Sequence, residues 1–216
     1  MPRPNRVSSK SPIASDAVAE ILQRLRAEGT AATPAIRSIA KDFRRHPELA
    51  PALWSTGILE ARILATMIAD PLRIPEEEVE RWVRGFDCWG VCDAACVGLV
   101  WATPFAWRKV REWSRREPEY ERRAAFALLA ALAVHDKKAT NKQFRSALRL
   151  IPKAATDERN FVKKAVNWAL RQIGKRNADL FDAAMEVAET LASSASRSAR
   201  WIGHDALREL RARSGR

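Results

Sequence analysis

The chain has 216 residues, 47% of them hydrophobic, which is enough for one substantial buried core. Lysine and arginine outnumber the acids 38 to 26, and the resulting formal charge of +12 is spread along the whole chain, so polyanions are the partners it favours. The basic balance alone does not choose between DNA, RNA and anionic lipid, but no apolar run approaches the ~20 residues needed to cross a bilayer, and no membrane partner is expected. The expected location is the cytoplasm, with nucleoid association if the source is bacterial.

Residues 1–12 (MPRPNRVSSKSP) are polar, basic and broken by proline, and are expected to form a mobile arm ahead of a single domain over residues 13–212. From there apolar residues recur at spacings of three and four, with no sustained strand-like alternation, so the chain reads as all helix. Pro34, Pro47, Pro71, Pro75, Gly85, Pro104, Pro118 and Pro152 stand where that periodicity lapses. The predicted helices are 13–28, 33–45, 48–55, 58–70, 75–84, 87–101, 104–115, 119–135, 140–152, 159–174, 176–191 and 194–212. Thr33-Pro34, Thr103-Pro104, Thr140 with Gln143, and Thr156 before Asp157 and Glu158 read as helix starts. A weak echo links the segments that open at Glu60, Glu121, Asn160 and Arg197, each carrying a basic residue followed by small apolar ones. The irregular spacing fits about six degenerate HEAT-like helix pairs in an alpha-alpha superhelix, with basic residues lining a concave face.

Cys88, Cys92 and Cys96 fall on one helical stripe. A ligand set is the obvious alternative, but no nearby histidine or cysteine completes a tetrahedron, so reduced, packed thiols are expected and neither metal nor cofactor is implied.

Two segments carry possible chemistry. In DCWGVCDAACVGLVW, residues 87–101, the only charge after the first residue is Asp93, and Trp89 lies one helical turn before it on the same face. An isolated carboxylate within an apolar helix either meets a cation or lines an accessible pocket, because burying it unpaired costs several kcal/mol. Pairing with Arg122 or Arg123 is the structural alternative. In NFVKKAVNWALRQIG, residues 160–174, Trp168 shares its face with Lys164 and Arg171, an arrangement suited to stacking beside phosphate-reaching cations. Trp54, Trp82, Trp107, Trp113 and Trp201 are expected to pack in the core.

Trp89-x-x-x-Asp93, the run from Phe161 to Arg171 and the intervening Arg122-Arg123-Ala124-Ala125 resemble the DNA alkylation repair glycosylases built from HEAT-like repeats. The likeness extends in helix order over roughly residues 13–210. It implies that Trp89, Asp93 and Trp168 surround a nucleotide bearing a cationic alkylated purine such as 3-methyladenine or 7-methylguanine. It also implies that Arg122 or Arg123, with Arg123 preferred, grips the DNA backbone, joined by Lys163, Lys164 and Arg171. A monofunctional glycosylase of base excision repair follows, acting on double-stranded DNA, with no obligate protein partner and no Schiff-base lysine. The chain departs from the family pattern at Gly90, where a second aspartate is common, and at Cys88, where an aromatic is common. Two other readings stay open: a non-catalytic HEAT-like protein binding DNA or structured RNA, and a protein-interaction solenoid whose basic groove receives an acidic partner.

Overall fold

The computed structural model describes residues 12–29 and 33–214, and among these there is helix and no strand. The expected N-terminal arm lies outside the described residues, apart from Pro12, which opens the first helix. The chain divides into two compact units, residues 1–70 and 71–216.

The first unit contains α1 (Pro12–Ala27), α2 (Thr33–Asp42), α3 (Ala50–Trp54) and α4 (Leu59–Ile68). Ile21, Ile36, Leu53 and Leu64 form its buried centre, and Arg24 donates to Asp42 at 2.7 Å to tie α1 to α2.

The second unit contains α5 (Glu76–Arg84), α6 (Trp89–Gly98), α7 (Ala106–Trp113), α8 (Glu119–His135), α9 (Asn141–Leu148), α10 (Leu150–Ala154), α11 (Asn160–Gly174), α12 (Ala178–Ala192) and α13 (Arg197–Ser214). The segment expected as one helix over 140–152 is two, α9 and α10, joined at Arg149. Of the expected starts, the Thr140 capping box forms, its hydroxyl accepting from the Gln143 amide while the Gln143 side chain accepts from the Thr140 amide. Two others fail. The Thr103 hydroxyl donates backwards to the Val100 carbonyl at 2.8 Å, and α7 begins only at Ala106. Thr156 lies in a turn, and α11 waits until Asn160, because the Asp157 side chain is engaged by Arg122 and Arg159 instead of capping a helix.

The middle of α8 is apolar on every side, and all eleven residues from Arg123 to Ala133 are buried, so this stretch is surrounded, while Val134 and His135 at the end of the helix are exposed. It packs on α6, α7 and α11, and α11 in turn packs on α12 and α13. Side chains repeatedly bridge positions one repeat apart: Cys96 to Ala124, Trp113 to Glu80, Arg122 to Asp157, Asn167 to Asp205. Helix pairs stacked this way bury a continuous core that no single pair could supply.

A buried cation anchors α5 to α7. Lys109, 3% exposed, meets Glu76 at 2.5 Å, Glu80 at 2.8 Å and Glu112 at 2.7 Å, and Glu80 also accepts from Trp113 and Arg116. Burial would raise the Glu80 carboxyl, but Lys109, Arg116 and Trp113 hold it at about 2. Hydrogen bonds from Arg108 and Lys109 hold Glu76 at about 2 as well.

Candidate active site

α6 turns Val91, Cys92, Ala95 and Cys96 into the protein. Cys92 donates to the Tyr120 carbonyl and Cys96 to the Ala124 carbonyl, so two of the three cysteines clamp α6 onto α8. Burial pushes the Cys92 thiol well above its ordinary range, as for a packed side chain rather than a reactive one. On the neighbouring edge of α6 stand Trp89 and Asp93, one turn apart. Trp89 is 55% exposed, an unusual position for a large indole without a partner surface.

The isolated carboxylate has a cation. Arg123 grips Asp93 with both arms, Nε to Oδ1 at 2.9 Å and Nη2 to Oδ2 at 2.7 Å, while its third arm donates from Nη1 to the Phe161 carbonyl at 2.7 Å. The Arg123 side chain is 7% exposed and that of Asp93 is 22% exposed, so the guanidinium is sealed behind a carboxylate that still touches solvent. Burial raises the Asp93 carboxyl above the usual carboxylate range, and the Arg123 guanidinium works against that rise. Three helices thus meet at one ion pair: α6 through Asp93, α8 through Arg123, and α11 through its second residue.

This geometry redefines Arg123. The guanidinium spends its bonds on Asp93 and Phe161 and sits behind the carboxylate. Arg122 donates to Asp157 at 2.9 Å and lies 3.7 Å from Glu117, and burial opposed by Arg159 and Arg122 holds Asp157 at about 2. Arg171 pairs with Glu209 on α13. Lys163 sits over the Trp201 ring at 5.0 Å, and Lys164 is exposed. Of the five cations that the sequence nominated for DNA, three are committed to internal pairs.

Trp168 is part-buried on α11, seven residues after Phe161 and so about 10 Å further along the helix axis on nearly the same face. Asp93, Arg123 and Phe161 are joined directly, and Trp168 shares the helix of Phe161. One aromatic escaped the sequence reading: Tyr120, whose ring lies 5.5 Å from that of Phe161. Tyr120 immediately precedes the Glu121-Arg122-Arg123 run in sequence, and that adjacency was the available signal. Trp201, expected in the core, is 41% exposed, with the Lys163 ammonium over its ring. Trp82 and Trp113 are buried as expected.

Gly90 does not serve a close backbone approach. A methyl group there would meet only the Cys88 sulfur, at 3.9 Å. Its neighbourhood is open space beside the exposed indole.

Stacked helix pairs with bridging side chains and an aromatic-carboxylate edge define a HEAT-like repeat protein. The chain belongs to the DNA alkylation repair enzyme family, whose model it matches over residues 20–210. Among solved structures it is similar to a member of "a new family of proteins related to the HEAT-like repeat DNA glycosylases with affinity for branched DNA structures", at 20% identity and a TM-score of 0.68, covering 91% of this chain and 93% of that one. A designed armadillo repeat protein in complex with a (KR)4 peptide matches at 15% identity and a TM-score of 0.48, covering 93% of this chain and 100% of that one. No curated protein sequence matches the chain. No helix among the described residues is long and apolar enough to cross a membrane.

Proposed function

We propose that the protein is a monofunctional DNA glycosylase that hydrolyses the N-glycosidic bond of positively charged alkylpurines, 3-methyladenine and 7-methylguanine, in double-stranded DNA. The observation that carries this reading is the Asp93 carboxylate: partly exposed, one turn from an exposed tryptophan, and fixed in direction by a buried arginine.

An N3- or N7-alkylated purine is already cationic and leaves as a neutral base, so no general acid is required. Positive charge develops on the sugar, and one correctly placed carboxylate stabilises it and orients the attacking water. A carboxylate offers about four lone-pair directions, and the Arg123 fork takes two of them, leaving acceptor capacity on the solvent side. Arg123 acts through Asp93 and is a positioning residue. Trp89 and Trp168 supply ring faces for the cationic lesion, each contact worth about 0.5–2 kcal/mol. Lys163 and Lys164 reach for the backbone phosphates.

Incubation with methylated duplex followed by hot alkali tests the reading. Release of free alkylated base and strand breaks at abasic sites are expected from the wild type, with neither from Asp93→Asn.

A second reading has its own support. Asp93 and Arg123 together carry no net charge, which weakens the field available to a developing cation, and the structural relative at 20% identity is described by its affinity for branched DNA. Under that reading the protein binds DNA without cutting a glycosidic bond. Salt-dependent DNA affinity with no base release from either methylpurine selects it.

A further inference from the structure

The Trp-x-x-x-Asp spacing occurs twice in the second unit, as Trp89-Gly90-Val91-Cys92-Asp93 in α6 and as Trp201-Ile202-Gly203-His204-Asp205 in α13. The copies share their pattern of exposure as well as their spelling, while the partners of the two carboxylates differ. Both indoles are exposed, 55% and 41%, and both carboxylates are mostly buried, with side chains 22% and 16% exposed. Each carboxylate is held by a neighbouring helix: Asp93 by Arg123 of α8, and Asp205 by Asn167 of α11, whose Nδ2 donates to it at 2.6 Å.

Trp201 borders a cavity of about 370 Å³, lined also by Glu158, Lys163, Arg197 and Ser198. That volume lies in the range of small-ligand sites. Ser198 spends its hydroxyl on the Asp157 carbonyl, at 2.8 Å, and serves as wall. Arg197 is exposed at the first residue of α13, and the Lys163 ammonium rests over the indole at 5.0 Å. An aromatic face, two cations and one carboxylate therefore share one opening.

We propose that this cavity is a second nucleotide site, which takes an unpaired nucleotide of a DNA strand. The proposal rests on the DNA-binding reading above and extends it to a substrate class, DNA that carries an extrahelical or unpaired residue. The base stacks on Trp201, and its phosphate meets Arg197 and Lys163, the lysine exchanging its contact with the indole for one with the phosphate. Only a base removed from the duplex stack offers a free face to such a ring. Glu158 adds selectivity. A carboxylate repels a bare phosphate but accepts from amino and imino hydrogens, and guanine presents two such donors side by side where thymine presents one between two carbonyls. Guanine is thus the preferred occupant.

Fluorescence anisotropy with three labelled duplexes of equal length, carrying an unpaired guanine, an unpaired thymine or neither, tests the site. The wild type is expected to bind the unpaired-guanine duplex about tenfold more tightly than the fully paired one. Trp201→Ala removes this preference, Trp201→Phe retains most of it, and Glu158→Gln brings guanine and thymine to equal affinity. Equal affinity of the wild type for all three duplexes, or a preference that survives Trp201→Ala, overturns the second site while leaving the DNA-binding reading intact. Failure to bind any duplex at low salt overturns both.

Discussion

Asp93 and Arg123 stand 30 positions apart in sequence and face each other as a two-armed pair, with contacts of 2.9 and 2.7 Å. The arginine is the more deeply buried partner. Removing one half of such a pair leaves the other as an uncompensated charge, which costs about 3–5 kcal/mol for a buried group. Arg123→Ala is therefore expected to lower unfolding stability by that amount in urea titration, and base release should fall with it even in the folded fraction, because Asp93 loses its orientation. Asp93→Asn keeps one acceptor toward Arg123 but sets its amide N–H against a second arginine donor and leaves the buried guanidinium without a counter-charge, so it is expected to cost stability comparable to Arg123→Ala while abolishing base release. Full release by folded Asp93→Asn would remove the carboxylate from the chemistry.

The cations proposed for DNA contact separate into two groups. Lys164 is exposed, so Lys164→Ala is expected to leave thermal stability unchanged and to reduce the slope of log affinity against log salt by about 1. Arg171 is bound to Glu209 on α13, so Arg171→Ala should lower stability and leave that slope unchanged. A salt titration of DNA binding beside a thermal melt of each variant checks both.

Acid should loosen the contact between α5 and α7. Glu76 and Glu80 are held at about 2, below the ordinary 4.5, so the folded form binds fewer protons than the unfolded one in that interval. Their contribution is fully present above pH 4.5 and is lost as the pH falls toward 2. For Glu80 alone it is on the order of 3 kcal/mol. Glu80→Gln is expected to flatten the pH dependence of the urea midpoint in that interval, and an unchanged slope would contradict the network's role.

Two glycines predict opposite outcomes. A methyl group on Gly203 would stand 2.3 Å from the Ala192 nitrogen and 2.6 Å from the Ala188 oxygen, both backbone atoms that cannot rotate away. Gly203→Ala should force α12 and α13 apart and lower stability by about 3 kcal/mol. Gly90 has open space around it and sits in the first turn of α6, so Gly90→Ala should raise stability by up to about 1 kcal/mol. Thermal melts of the two variants are the measurement.

The helices were legible in the sequence because their cause is local. Periodic apolar residues, prolines at the breaks and the Thr140–Gln143 box act within a few positions, and the expected segments agree closely with α1 to α13. The starts assigned to Thr103 and Thr156 failed because a hydroxyl or an adjacent carboxylate has several partners within reach, and local spacing does not choose among them. Trp89 and Asp93 were recognisable as a pair sharing one turn, since helical geometry alone aligns them. Which arginine met Asp93, and that Arg171 and Arg122 were already engaged, depended on how α6, α8, α11 and α13 stack. Sequence thus settled which residues belong to which helix face, because that is set by the backbone repeat. Tertiary structure alone decided which charges neutralise one another and which remain for a partner, because electrostatic pairing is a matter of distance between helices and of the water excluded from between them.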